Sequence, residues 1–295
     1  MTLTETLPWL LGATAILLLL LYVNLRIASP LLAIPIRWLR WTLFALLAAE
    51  LNLRGGWIDR PYWVVLLTGL LVWLLGESAF NWLRVSAISL SPLPLFPTFV
   101  VNSNGGEWPI NRRLLKVRDW LRANHFTAVQ ALKSEIGGGI WLRVSVYQNQ
   151  DRTVRLQVAF LPQESDAITV CYSISSETQS GRRYITDNIF LPFGGFYPEN
   201  WFVDRSPWRR TLPRMLTYHL KRLKEAGETS VAWESDPMDD LNRQQRQMEQ
   251  INTQMGFLVP NSEREEHGKI TPEGRFRIWK EAWLLDYFGL PTRYE

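Results

Sequence analysis

"GIWLRVSVYQNQDRTVRLQVAFL", residues 139–161, sets Ile140, Leu142, Val144 and Val146 against Trp141, Arg143 and Ser145. After Asn149, Gln150 and Asp151 it sets Val154, Leu156, Val158 and Phe160 against Arg155 and Gln157. A period of two places each set on one side of a pleated strand, and the polar trio between them is a turn, so the stretch reads as a β-hairpin. "AITVCYSIS" and "RRYITDNIF" repeat the arrangement around Gln179, Ser180 and Gly181, and "FTAVQALKSE" supplies an earlier strand. The product is an antiparallel meander of four or five strands.

Working outward, the period changes to that of helices. "INRRLLKVRDWLRANHF" gathers Ile110, Leu114, Val117 and Leu121 on one face and spreads Arg112, Arg113, Lys116 and Arg118 around the rest. "SPWRRTLPRMLTYHLKRLKEAGE" places Leu212, Met215, Leu216, His219, Leu220 and Leu223 on an inward stripe, with Gly227 as the stop. "DPMDDLNRQQRQMEQINTQMGF" spaces Leu241, Met248, Ile251 and Met255 almost as heptads, a pattern that suits pairing with another helix. Thr271 caps a last helix begun by Pro272, which carries Phe276, Trp279, Trp283, Leu284 and Tyr287 to Gly289. The expected class is α+β, with residues 108–230 as the domain and 231–295 as a helical C-terminal extension.

The first third of the chain is of another kind. No charge falls between Glu5 and Arg26, and residues 7–25 are long enough to cross a hydrocarbon core of about 30 Å. Residues 61–83 form a second clear span, uncharged from Pro61 to Gly76, with Trp63 and Trp82 near its ends. Residues 38–53 form a short middle span, in which Trp38 and Trp41 act as belt residues, Arg40 snorkels, and Glu50 pairs with Arg54 four residues on. "MTLTET" lacks the positive start of a cleaved signal, so residues 1–84 read as a retained anchor of two to three helices. Residues 85–107, with Pro92, Pro94, Pro97, Gly105 and Gly106, read as a linker.

With three spans, Arg26, Arg37, Arg40 and Arg84 fall on one side and Arg54 and Arg60 on the other. The positive-inside rule then predicts a multi-pass protein of the bacterial inner membrane with a cytoplasmic C-terminal domain. Trp38, Arg40, Trp41, Trp63, Trp82 and Arg84 are its expected membrane-interface residues. Beyond residue 84 the chain holds 26 basic and 24 acidic residues, so the pI of about 9.3 does not call for nucleic acid.

The residues that carry chemistry are few. There is no phosphate-binding loop and no HExxH, and His125, His219 and His267 lie far apart, so neither a metal nor a cofactor is expected. "GGG" at 137–139 eases a turn. Single Cys171 excludes an internal disulfide and reads as a packing residue within a strand. His219 is the candidate base, with Asp187 or Asp204 to orient it; the plainer reading is a half-buried histidine bonded to backbone.

"TDNIFLPFGGFYPENWFVDRSPWRR", residues 186–210, holds seven aromatics, three prolines and two adjacent glycines and reads as neither helix nor strand. Phe193, Phe196, Tyr197, Trp201, Phe202 and Trp208 are candidate interaction residues, because such a loop must be covered by its own domain, a protein partner or lipid.

The runs "LRANHFTAVQALKSE", "SGRRYITDN" and "LPRMLTYHLKRL" together resemble a family of uncharacterised bacterial membrane-anchored proteins built as helix, strand meander and a helix carrying a histidine. The likeness covers at most residues 110–223. It implies that architecture and no activity, cofactor or site. The expected function is a non-enzymatic accessory, scaffold or sensory subunit that contacts the lipid bilayer and a protein partner. The alternatives are a tethered enzyme with a pocket near His219, its small-molecule ligand unnamed, and a peripheral lipid-contacting domain.

Overall fold

The computed structural model describes residues 3–27, 29–103, 108, 112–137, 139–162 and 168–291. Ile110, Gly105, Gly106 and Gly138, named above, lie outside them, as do the side chains of Arg112 and Arg113. The chain is α+β: three apolar helices, then a sheet that is mostly antiparallel, with further helices.

The apolar helices are α1 (Leu3–Ile27), α2 (Pro30–Gly55) and α3 (Tyr62–Leu90). All three are long and apolar enough to cross a membrane, which marks the chain as a membrane protein. Ser29 caps α2 by accepting from Leu32 N, with Pro30 in the first turn, and Gly56 ends it at φ 60°. The middle helix is therefore longer than residues 38–53, and α3 runs on to Leu90, past the expected end at 83 and into the stretch read as linker. Glu50 and Arg54 do pair, at 3.2 Å.

Small residues let α2 and α3 approach closely. Ala45 and Ala49 are buried, and a Cβ added to Gly69 would lie 3.0 Å from Ala45 Cα. Gly69→Leu is therefore expected to cost about 1–3 kcal/mol through overpacking. A lowered denaturation midpoint of the full chain in detergent would show it; an unchanged midpoint would mean the helices separate freely.

Beyond the helices come β1 (Val100–Val101), α4 (Arg112–Ala123), β2 (Thr127–Gly137), β3 (Ile140–Gln148), β4 (Arg155–Pro162), β5 (Ile168–Thr178) and β6 (Arg183–Asp187). They are followed by β7 (Trp201–Arg205), α5 (Leu212–Glu225), β8 (Ser230–Val231), α6 (Pro237–Gln254), α7 (Arg264–His267) and α8 (Pro272–Phe288). Among the described residues the sheet has eight strands in the order β1 to β7, with β8 pairing the end of β5. From β2 to β6 it is the expected antiparallel meander. Gly137, Gly139 and Gly181 take positive φ at its hairpin turns.

The departure is β7. It runs parallel to β6, pairing Arg183 with Trp201 through to Asp187 with Arg205. A parallel neighbour requires a long connection, and the aromatic stretch 188–200 is that crossover. Part of the segment read as neither helix nor strand is thus strand: Thr186 and Asp187 end β6, and Trp201 to Arg205 form β7.

Both faces of the sheet are covered. Leu156, Val158 and Phe160 of β4 and Tyr172 and Ile174 of β5 pack on Leu114 and Leu121 of α4 and Leu212 and Met215 of α5. On the other face Leu132, Val144 and Val146 meet Phe99 and Leu241 of α6. His219 and Leu223 are buried on the α5 stripe as the spacing predicts, but Leu220 is 46% exposed, at the rim of the stripe.

Covering the second face carries charge inward. Arg155, on the polar side of β4, is fully buried; it donates to Asp240 Oδ2 at 2.9 Å and to Ser235 O at 2.7 Å. Arg183 of β6 donates to Asp240 Oδ1 at 2.8 Å and to Glu177. Trp233 is in contact with both guanidiniums, its ring 4.2 Å from that of Arg155 and 4.9 Å from that of Arg183. Burial pushes the Asp240 carboxyl up, but the two arginines outweigh it and hold the group below the usual carboxylate range.

Candidate functional site

His219 projects from α5 into the sheet, where it is sealed. Its Nδ1 lies 3.0 Å from Thr186 Oγ1 of β6 and its Nε2 lies 3.1 Å from Ser176 Oγ of β5. Neither expected carboxylate is bonded to it. Asp204 accepts from Tyr218 Oη at 2.6 Å and Ser206 Oγ at 2.8 Å, and Asp187 accepts from Ile189 N at 3.0 Å. Thr186 and Arg222 form the link between them: Arg222 donates to Thr186 Oγ1 at 2.7 Å and its Nε lies 4.0 Å from Asp204.

Burial, with the Arg222 charge adding, pushes the imidazole down to about 3. A neutral ring with both nitrogens occupied by hydroxyls braces α5 against β5 and β6; it is not placed to take a proton from a ligand. As pH falls, the unfolded chain takes up the proton first, so the stability given by neutral His219 is full above about pH 6.5 and drains toward pH 3. Asp187 has the opposite sign. Burial pushes its carboxyl up to about 6 against the pull of Arg205, so its contribution is full below about pH 4 and is lost as pH rises to about 6. Denaturation midpoints measured from pH 4 to 6.5 should shift in opposite senses for His219→Gln and Asp187→Asn, and parallel profiles would refute this assignment.

The aromatic crossover is covered by its own chain. Glu281, buried on α8, accepts from Gly194 N at 2.6 Å with one carboxylate oxygen and from Arg205 of β7 with the other. Asn252 of α6 clamps the next turn: Phe196 N donates to its Oδ1 at 2.7 Å, and its Nδ2 donates to Phe196 O at 2.9 Å. Gly194 has φ 68°, and a Cβ there would meet Ile278 N of α8 at 2.8 Å, so only glycine lets the loop lie on that helix. Phe193 packs on Phe96, Tyr197 and Phe257, and Phe196 lies under Arg277 at 3.9 Å.

Of the six candidate interaction residues, Phe193, Phe196, Tyr197 and Trp201 are half-buried. Phe202 and Trp208 are 38% and 56% exposed, and Phe202 is stacked on Tyr184.

The other flank of α8 rests on the membrane helices. Asp286 pairs with Arg37 of α2 at 3.1 Å, Trp38 Nε1 donates to Tyr287 O at 2.8 Å, and Trp279 Nε1 donates to Ser78 O of α3 at 3.3 Å. Lys269 N donates to Ser89 O at 2.9 Å and Ile270 N to Ser89 Oγ at 3.0 Å, which fixes the turn before α8 to the end of α3. The stretch 231–295, expected as an extension, therefore meets the sheet through β8 and Asp240 and the membrane helices through α8.

The sequence-derived interface residues lie at this junction and around it. Trp38 and Trp41 contact Tyr287 at 5.5 and 5.6 Å, Arg40 lies over Trp73 at 5.4 Å, and Arg84 lies over Phe80 at 5.7 Å. Trp63 is 61% exposed and Trp82 39% exposed on α3.

Sequence reasoning missed Glu281, Asn252 and Asp286. The available signal was a carboxylate recurring among the apolar residues of "EAWLLDYFGL", since an acid on an apolar helix face requires a partner. Comparisons with protein-family models, curated proteins and solved structures give no match.

Proposed function

We propose that this chain is a non-catalytic accessory, scaffold or sensory subunit of a bacterial inner-membrane assembly, with its sheet domain in the cytoplasm. The observation that carries the reading is the double attachment of α8. One flank holds the crossover and β7 through Glu281, and the other holds α2 and α3 through Asp286, Tyr287 and Trp279. A displacement of the membrane hairpin is thereby passed to the sheet through one helix, as a coupling element requires. The buried groups Arg155, Asp240, Glu281 and His219 are engaged with one another or with backbone, arginine and hydroxyl groups, which suits a structural role.

The arginine distribution supports the orientation, because Arg37, Arg40 and Arg84 lie toward the domain end of α2 and α3. For a protein partner, the surface to mutate first is the open edge at β1. There Val100 and Val101, with Ile140 and Trp141 two strands in on β3, are each at least 41% exposed. Native mass spectrometry of the full-length protein, gently extracted from its own membranes, is expected to show a protein complex of fixed stoichiometry. A monomer carrying a small molecule would overturn the proposal.

A further inference from the structure

Three large apolar side chains stand exposed at the C-terminal end of α8, Trp208 at 56%, Phe288 at 52% and Leu290 at 55%, and Leu191 of the crossover is 54% exposed. Trp208 belongs to the same surface as the helix end, because a Cβ added to Gly289 would meet its ring at 2.7 Å. Leu191 is tied in through its carbonyl, which accepts from Arg205, itself bonded to Glu281 of α8.

The depth of this surface follows from its contacts with the membrane helices. The stretch of α3 from Tyr62 to Trp82, apolar but for Glu77 and a few small polar residues, is about 30 Å long at 1.5 Å per residue, one hydrocarbon core. Trp41 Nε1 donates to Leu70 O, so Trp41 lies about 12 Å along that stretch and Trp38 about one turn further. Both are inside it. Tyr287 touches both tryptophans and Phe288 touches Trp38 at 5.9 Å, so the end of α8 lies at the same level.

A second observation is independent of depth. Four of the last five carbonyls of α8 are given a donor: Leu284 O by Leu290 N, Leu285 O by Gly289 N, Asp286 O by Arg37 Nη1 and Tyr287 O by Trp38 Nε1. In water the solvent would serve these groups. In lipid each must be satisfied by protein, and here two of the donors come from a membrane helix. Arg37 in turn receives the Asp286 carboxylate, the counter-ion a guanidinium needs at that level.

We infer that the C-terminal end of α8 is a wedge sunk into the acyl region of the bilayer, with Leu191, Trp208, Phe288 and Leu290 in contact with lipid. The partner is the same bilayer that α2 and α3 cross, and the wedge continues their lipid-facing surface. It fixes the sheet domain against the membrane. This contact does not depend on whether a protein partner binds elsewhere.

The test uses the full-length chain in vesicles of phosphatidylcholine and phosphatidylglycerol. Cysteine is introduced singly at Leu191, Trp208 or Leu290, with Phe202 and Leu220 as controls, and labelled with an environment-sensitive fluorophore. Cys171 does not interfere, being buried with its thiol pushed up to about 11. Labels at 191, 208 and 290 should be quenched several-fold more by brominated lipid than by aqueous iodide, with the order reversed at 202 and 220. Quenching by iodide at the first three sites would overturn the inference. Protection from both quenchers would overturn it too, placing protein on the surface. Leu191→Cys alters only an exposed loop side chain, so it reads out the result even where a change at Trp208 disturbs packing on Gly289.

Discussion

Replacing Asp240 by alanine is expected to destabilise the folded chain by about 3–5 kcal/mol, the usual cost of leaving buried charge without its partner. Asp240 is fully buried and serves two buried arginines at once, Arg155 at 2.9 Å and Arg183 at 2.8 Å, with exposed Arg243 at 3.3 Å beside them. The loss should appear as a fall in the denaturation midpoint of the full chain in detergent and as rapid proteolysis of the sheet domain. Asp240→Asn keeps one acceptor oxygen and should lose less. Replacing Arg155, Arg183 and Asp240 together by Met, Met and Leu should also lose less than the single alanine, because no charge is stranded. A midpoint for Asp240→Ala within about 0.5 kcal/mol of the parent, the range of ordinary surface substitutions, would show that the arginines find other partners.

Glu281→Ala should cost about 3 kcal/mol and act on a different place. The substitution removes the acceptor of Gly194 N and of Arg205, at a carboxylate that is 1% exposed, so two buried donors lose their partner together. Asp187 remains 3.9 Å from Arg205, too far to replace the bond. The expected signature is local. Amide exchange in residues 188–200 should accelerate by far more than in β2 to β5, and a protease should cut within the crossover. Glu281→Gln should fall between parent and alanine. Uniform acceleration across the sheet would mean that Glu281 supports global stability and does not hold the crossover in particular.

These two residues also mark where the sequence stopped being legible. Asp240 sits in "DPMDDLN", where it reads as one more acid in the first turn of a polar helix, and nothing local separates it from exposed Asp239. Besides Arg243 and Gln244 in its own helix, its two buried partners lie 85 and 57 residues away. Glu281 stands among tryptophans and leucines, which hints at a buried partner without naming it, and that partner lies 87 residues back at Gly194. His219 was legible as a buried member of the α5 stripe. Its two hydroxyl neighbours were not, because they come from strands whose order had first to be known. Asp187 and Asp204, close to His219 in the chain order of elements, turn to other donors instead.

What the sequence by itself determined is what a single element encodes. Period-two alternation gave the strands of the meander, polar and glycine-rich trios gave its hairpins, and Thr271 and Gly289 bounded α8 as its caps. Uncharged runs gave α1 and α3. Each signal lies within one helix or one strand pair, where the backbone's own geometry relates neighbouring residues.

Only the tertiary structure decided the parallel placement of β7, the full extent of α2 and the seating of α8 between crossover and membrane helices. Arg37 shows the reason. Taken alone, it is a charge that ends an apolar run, so the middle span reads as starting at Trp38. With Asp286 brought against it from 249 residues away, the same charge has its counter-ion within a helix that Ser29 and Pro30 begin. The cost of burying a charge depends on what the fold sets beside it, and a local window of sequence does not contain that partner.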